Sequence, residues 1–325
     1  MQLRQACCAL FVVAGCGPAA TQEAKPIPPT PLADHHKHVP SPAAAAYART
    51  AGRVDFIGDV QSITAEQLVA ELDAAGIRHG VVLSVAYWFG SPNLAPVENE
   101  YAKVRAENDW TTQQARRFPA RLLPFCSVNP LNDYALEEIN RCATQLMVKG
   151  LKLHFNGSGV DLLNFRHAET VRRVFQAVNE RRLAMVVHVR GDLAVYGREH
   201  AEKFLDLLSA ARDVPVQVAH LWGGEGFSDA ALATYASAVS NGDARTKNLY
   251  FDVADIARFV PRSEAARRIA VQHIRAIGPD RILWGSDMAP PGPPAQQAWT
   301  AFRTTLPLTE NEMQTIASNV APYLR

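Results

Sequence analysis

Short apolar runs alternate along the chain with longer stretches whose apolar residues recur every three or four positions. The short runs cover residues 32–38, 80–85, 122–128, 150–154, 184–189, 216–220, 249–253 and 282–285. They are rich in Val, Leu and Ile and apolar on both faces, as strands buried in a parallel sheet are. The longer stretches predict helices over 64–75, 98–117, 132–148, 168–182, 199–211, 228–240 and 263–277. The first is bounded by its own residues: Thr64 is a natural N-cap, Gln67 follows three positions later, and Gly76 supplies the stop. Eight strands alternating with helices over about 290 residues have the count and size of a single-domain α/β chain folded as a (β/α)8, or TIM, barrel. A doubly wound open sheet is the rival, but it needs a topological switch and usually fewer strands. No GxGxxG or GxxxxGK loop accompanies the strands, so nucleotide binding has no support.

The two ends of the chain differ in kind. Arg4 precedes an apolar run, 6–14, that is too short to span a membrane and has the form of a signal-peptide core. Val13-Ala14-Gly15-Cys16 then resembles the lipobox of bacterial lipoproteins, which implies cleavage before Cys16 and lipidation of that residue. An ordinary cleaved signal with a free Cys16 is the alternative. Residues 1–15 are thus expected to be signal, 16–32 a Pro- and Ala-rich tether, and 33–325 the barrel. Gly17, rather than an aspartate, after the cysteine favours the outer membrane, facing the periplasm, within that resemblance. The lipid would be the chain's only membrane contact.

Composition adds little beyond exclusion. With 48% hydrophobic and 20% charged residues, and 33 basic against 32 acidic, the formal charge is +1. No basic footprint for nucleic acid is present. Cys126 and Cys142 fall on a predicted strand and the helix after it, and two cysteines alone fix no geometry. In an oxidising compartment they could pair, but two separate buried thiols are the expected state.

The chemistry of such a barrel gathers at the C-terminal ends of its strands. Those ends carry His36 and His38 on the first strand, Lys152 and His154 on the fourth, and His188 on the fifth. His220 ends the sixth and Asp287 follows the eighth. Five of the ten histidines stand there. His35, His79, His167, His200 and His273 read as surface or packing residues. Period-two alternation puts Asp34, His36 and His38 on the inward side and turns His35 and Lys37 away from the axis. Singly, each histidine could be a hydrogen-bonded core residue and Asp287 a helix cap. Together they are the converging set that one metal ion requires.

At this point the residues resemble the amidohydrolase superfamily. They are Asp34-x-His36-x-His38, the fifth-strand His188, Ala219-His220-Leu221 and Leu283-Trp284-Gly285-Ser286-Asp287. Glu107-Asn108-Asp109-Trp110, Arg121-Leu122-Leu123-Pro124-Phe125 and Gly150-Leu151-Lys152-Leu153-His154 are similar to its amidohydrolase-related branch, which includes aminocarboxymuconate-semialdehyde decarboxylase. The resemblance implies one divalent ion held by His36, His38, His188 and Asp287. Zinc is the expected ion, with manganese or iron as alternatives. It implies that Asp287 moves a proton and that His220 orients water or polarises the substrate. Asp34 would support the ligands from behind. In binuclear relatives the fourth-strand lysine is carboxylated and bridges two metals, so Lys152 and His154 are second-metal or substrate contacts. The mononuclear reading is preferred. Arg190 could grip a substrate carboxylate or lie on the surface, and Tyr87, Trp88, Phe89 and Trp222 could wall the pocket or pack.

The leading expectation from these residues is a metal-dependent hydrolase acting through an activated water on a C–N or ester-type bond of a small molecule. A non-oxidative decarboxylase of a conjugated acid, using the same metal site, is the second. A non-catalytic surface lipoprotein on the same fold is the third.

Overall fold

The computed structural model describes residues 29–51, 60–190, 196–224, 226–287 and 293–325. The signal, Cys16 and most of the tether lie outside them. Eight parallel strands run in sequence order: β1 (Ala33–His38), β2 (His79–Leu83), β3 (Leu122–Ser127), β4 (Gly150–His154), β5 (Ala184–His188), β6 (Val216–Val218), β7 (Leu249–Asp252) and β8 (Ile282–Leu283). His35 N–H donates to Trp284 O (2.9 Å) and Asp287 N–H to His36 O (2.6 Å), bringing β8 back against β1. The sheet is a nearly closed (β/α)8 barrel. Among the described residues no helix is long and apolar enough to cross a membrane.

Helices form where the pattern places them. Ala65–Ala75 begins in a reciprocal Thr64–Gln67 capping box and ends at Gly76 with φ +71°, a conformation that glycine adopts without strain. Glu100–Arg116, Ala135–Thr144, Phe165–Glu180, Arg198–Leu208, Asp229–Ser240 and Glu264–Ile277 follow, with Ala295–Thr305 and Glu310–Ser318 closing the chain. At the near end, Leu32 N–H bonds Ala317 O and Trp299 Nε1–H bonds Pro29 O, so residues 29–32 dock on the barrel instead of hanging as tether.

Apolar packing comes in two layers. One lies between strands and helices. The other is a separate apolar cluster of Val81, Leu83, Phe125, Ala184, Val186 and Ala219, with Tyr323 and Leu324 packed against them. Higher in the barrel the inward positions turn polar, with Lys152, Gln217, Asp252 and His36 all buried.

Two expectations are corrected here. Cys126 and Cys142 are disulfide-bonded, because β3 and the helix Ala135–Thr144 bring their Cα atoms to 6.3 Å. Regular alternation also fails on β1. Asp34 pairs with Gly80 and Lys37 with Val82, so three steps on β1 face two on β2. This bulge shifts parity in the middle of the strand. His35, expected to face away from the axis, is buried edge-on to Tyr323 (6.4 Å). Its Nδ1 donates to Trp284 O and its Nε2 accepts from Ala321 N–H. Lys37 does face away from the axis, and its ammonium pairs with Glu71 at 2.9 Å.

Candidate active site

The strand ends converge as the sequence anticipates, and hydrogen bonds fix how each ring is presented. On β1, His36 donates its Nδ1–H to Asp252 Oδ2 (2.9 Å) and His38 donates its own to Leu83 O (2.8 Å). After β6 the chain turns sharply, with φ +55° at His220 and +61° at Leu221. His220 Nδ1–H donates to Ala254 O (2.9 Å). In each ring the proton is held at Nδ1, leaving the Nε2 lone pair for a ligand.

Asp287, at φ +69°, meets both β1 imidazoles. Its Oδ1 lies 3.2 Å from His36 Nε2 and 3.5 Å from His38 Nε2. Non-glycine residues at positive φ cost backbone energy and cluster at working sites. Among the described residues, His36, His220 and Asp287 each offer one donor atom within 4.8 Å of the others. His38 lies at the edge of this group. His188 joins it through its ring contact with His220, at 5.2 Å between centroids. Gly285 and Gly224 allow this closeness: a Cβ would lie 2.6 Å from His36 Cβ at the first and 2.4 Å from His188 Nε2 at the second.

Charge states suit a cation. Burial first, and Lys152 second, push the His36 pKa down to about 3, so the ring is neutral and able to coordinate. Two imidazole nitrogens and a carboxylate oxygen are the donor set of a divalent transition metal, so the residues present fit the ion the sequence implies. Lys152 Nζ is 3.1 Å from His36 Nε2, on the same inward face of β4 as His154.

Asp252 is the residue that the sequence reading missed. Its carboxylate accepts from His36 Nδ1–H, Gln217 Nε2–H (2.6 Å), His220 N–H (2.9 Å) and Ala254 N–H (3.1 Å). Its signal was its place at the end of the seventh apolar run, level with strand ends that carry histidines. Asp255, also missed, is held at φ +52°, and burial and Asp287 raise its pKa to about 6.

The remaining candidates are distributed around this group. Asp34 reaches the group through the backbone of its neighbours. It accepts from Ser286 N–H (3.0 Å), Ser286 Oγ–H (2.5 Å) and His36 N–H (3.2 Å), latching β1 to the segment that carries Asp287. His154 stacks between His188 (3.8 Å) and Tyr87 (4.9 Å). Arg190 is buried, donates to Gly226 O (2.8 Å), and lies over the Tyr196 ring. Trp222 is core, fully buried and edge-on to Phe227. Phe89 stacks on Tyr47.

Comparison with known proteins follows the same line. The profile of the Amidohydro_2 family, described as amidohydrolase, matches residues 33–319. Curated proteins give no match. Among solved structures, a 5-carboxyvanillate decarboxylase from Sphingomonas paucimobilis is 17% identical with TM-score 0.59, covering 89% of this chain and 96% of that one. A 5-carboxyvanillate decarboxylase from Novosphingobium aromaticivorans, complexed with manganese and 4-hydroxy-3-methoxy-5-nitrobenzoic acid, is 14% identical with TM-score 0.62, covering 89% and 94%. A 2,6-dihydroxybenzoate decarboxylase from Rhizobium is 16% identical with TM-score 0.58, covering 89% and 96%. At these identities the likeness shows the fold.

Proposed function

The chain belongs to the Amidohydro_2 family of amidohydrolases, and from that premise we propose that it is a metal-dependent, non-oxidative decarboxylase of an aromatic or otherwise conjugated carboxylic acid. The observation that carries the reading is the convergence of His36, His220 and Asp287 at the barrel mouth, with the Lys152 ammonium beside them. The named activities of the similar structures, decarboxylases of aromatic acids, favour this chemistry over the hydrolase expected first from sequence.

His36, His220 and Asp287, with His38 and His188 adjoining, would hold one divalent ion. Zinc suits the histidines, and manganese is the ion in two relatives. When bound, the ion supplies a Lewis acid for substrate oxygens. The protein's own part is positional and protonic. Loss of carbon dioxide leaves the electrons of the broken C–C bond on the substrate carbon, and one proton must reach that carbon. Asp287, whose second carboxylate oxygen stays available, is the group placed to move it, while His220 is locked by Ala254 O so that only Nε2 faces the group. Lys152 adds positive charge where a carboxylate must settle.

Product analysis tests the reading. Zinc- or manganese-loaded protein incubated with 2,6-dihydroxybenzoate or 5-carboxyvanillate in D2O is expected to release carbon dioxide and leave deuterium at the vacated carbon. The alternative, a hydrolase of a C–N or ester bond, is favoured by the Asp287–His36 pair, which is equally suited to activating water. Incorporation of 18O from water into product, without carbon dioxide release, would establish it and end the decarboxylase reading.

A further inference from the structure

Four imidazoles at the barrel mouth hold Nδ1 against a hydrogen-bonding partner, and one partner differs in kind from the other three. His36, His38 and His220 face oxygens, which only accept, so their Nδ1 atoms carry the proton. His154 Nδ1 instead lies 3.0 Å from the backbone N–H of Gly157, which only donates. That nitrogen must be bare, and in the neutral ring the proton is then on Nε2. A protonated Nε2 has no lone pair for a metal. It is a donor, and the 1,3 relation of the two nitrogens points it away from the loop that holds Nδ1.

The surroundings keep the ring in this state. Its plane is clamped between His188, at 3.8 Å and 17°, and Tyr87, at 4.9 Å and 21°. Gly157 can approach closely because it lacks a Cβ, which would stand 2.6 Å from the Tyr87 ring. His154 pairs in register with His188, so its ring is level with the proposed ion site and one strand away from it. Lys152, two residues earlier, is on the same inward face.

We infer that His154 is a neutral Nε2–H donor that holds an anionic oxygen of the substrate beside the metal-binding group, and that it is not a ligand to a second ion. The substrate's chemistry rests on the decarboxylase reading, whereas the tautomer does not.

Full-length protein with 15N-labelled histidines, zinc-loaded, gives the first readout: a long-range 1H–15N spectrum, with His154 assigned by its absence in His154→Phe. Expected is an unprotonated Nδ1 and a protonated Nε2, opposite to His36 and His220, with the metal content of the variant equal to wild type. The second readout is binding of 2-nitroresorcinol and of 4-hydroxy-3-methoxy-5-nitrobenzoic acid, which are ligands of similar structures. His154→Phe, which keeps the stack, should bind about tenfold more weakly, and His154→Gln, which restores a donor, should recover most of that. A protonated Nδ1, loss of metal in His154→Phe, or unchanged probe affinity in that variant would overturn the inference. If wild type binds neither probe, the substrate part falls with the proposed function, and the tautomer and metal content still decide whether His154 is a donor or a ligand.

Discussion

Asp252 and Glu107 are both carboxyl groups taken fully out of water, yet they end in opposite charge states. Asp252, at the end of β7, receives four N–H donors; burial pushes its pKa upward, but His36 above all, and then His220, carry it well below the usual range. Glu107, on the helix Glu100–Arg116, draws on Ser41, whose N–H donates at 3.0 Å. Burial therefore wins there and raises its pKa to about 7. Burial sets the cost of a charge, and the number of donors decides whether it is met. The protein concentrates its donors around the carboxylate that orients His36 and His220, and leaves Glu107 with Ser41.

The largest effect should come from removing the better-solvated group. Asp252→Ala strands His36 Nδ1–H, Gln217 and the His220 N–H in a dry interior, which costs roughly 3–5 kcal/mol by analogy with broken buried pairs. Loss of this partner should also weaken metal binding by about 10–100-fold. Denaturant unfolding and metal titration read the two effects. Asp252→Asn keeps the volume, and it should show the metal defect with a smaller loss of stability.

Glu107 should act in the opposite sense. Its folded pKa exceeds the 4.5 of the free group, so its contribution is fully present below about pH 4.5 and is lost as pH rises towards 7. At about 1.4 kcal/mol per unit, the loss across that window amounts to roughly 3–4 kcal/mol. Glu107→Gln, which can still accept from Ser41, should remove that loss and be the more stable protein at pH 8. An unchanged pH profile of thermal unfolding would mean that Glu107 is ionised in the folded state. Asp252 contributes with the reverse sign, its share disappearing as pH falls below about 4.

The smallest effect probes Asp252 at one remove. Tyr323 donates its hydroxyl to Gln217, which in turn donates to Asp252. Tyr323→Phe should lower stability by about 1 kcal/mol and leave metal affinity unchanged. A metal defect in that variant would show that Gln217 needs Tyr323 to hold Asp252 in place.

These contrasts also mark what the sequence discloses. Strand and helix positions were legible because burial imposes period on composition, as in the capping box at Thr64 and the histidines ending β1, β4 and β5. The β1 bulge was not legible, since one extra residue leaves no compositional trace while it turns His35 inward. Nor was the Cys126–Cys142 bond, which depends on a helix-to-strand distance. Asp252 occupied a readable position, but its role is defined by partners on β1 and β6 that only the closed barrel brings to it. Trp222 shows the converse: a loop aromatic near a site is core because the chain reverses at His220 and Leu221.

Metal analysis of the purified full-length chain, after growth with zinc or manganese, tests the central claim most directly. The account predicts about one divalent ion per chain in wild type, falling to a small fraction when His36 or Asp287 is replaced by alanine. A content near zero in wild type after supplementation, or an undiminished content in both variants, would contradict it.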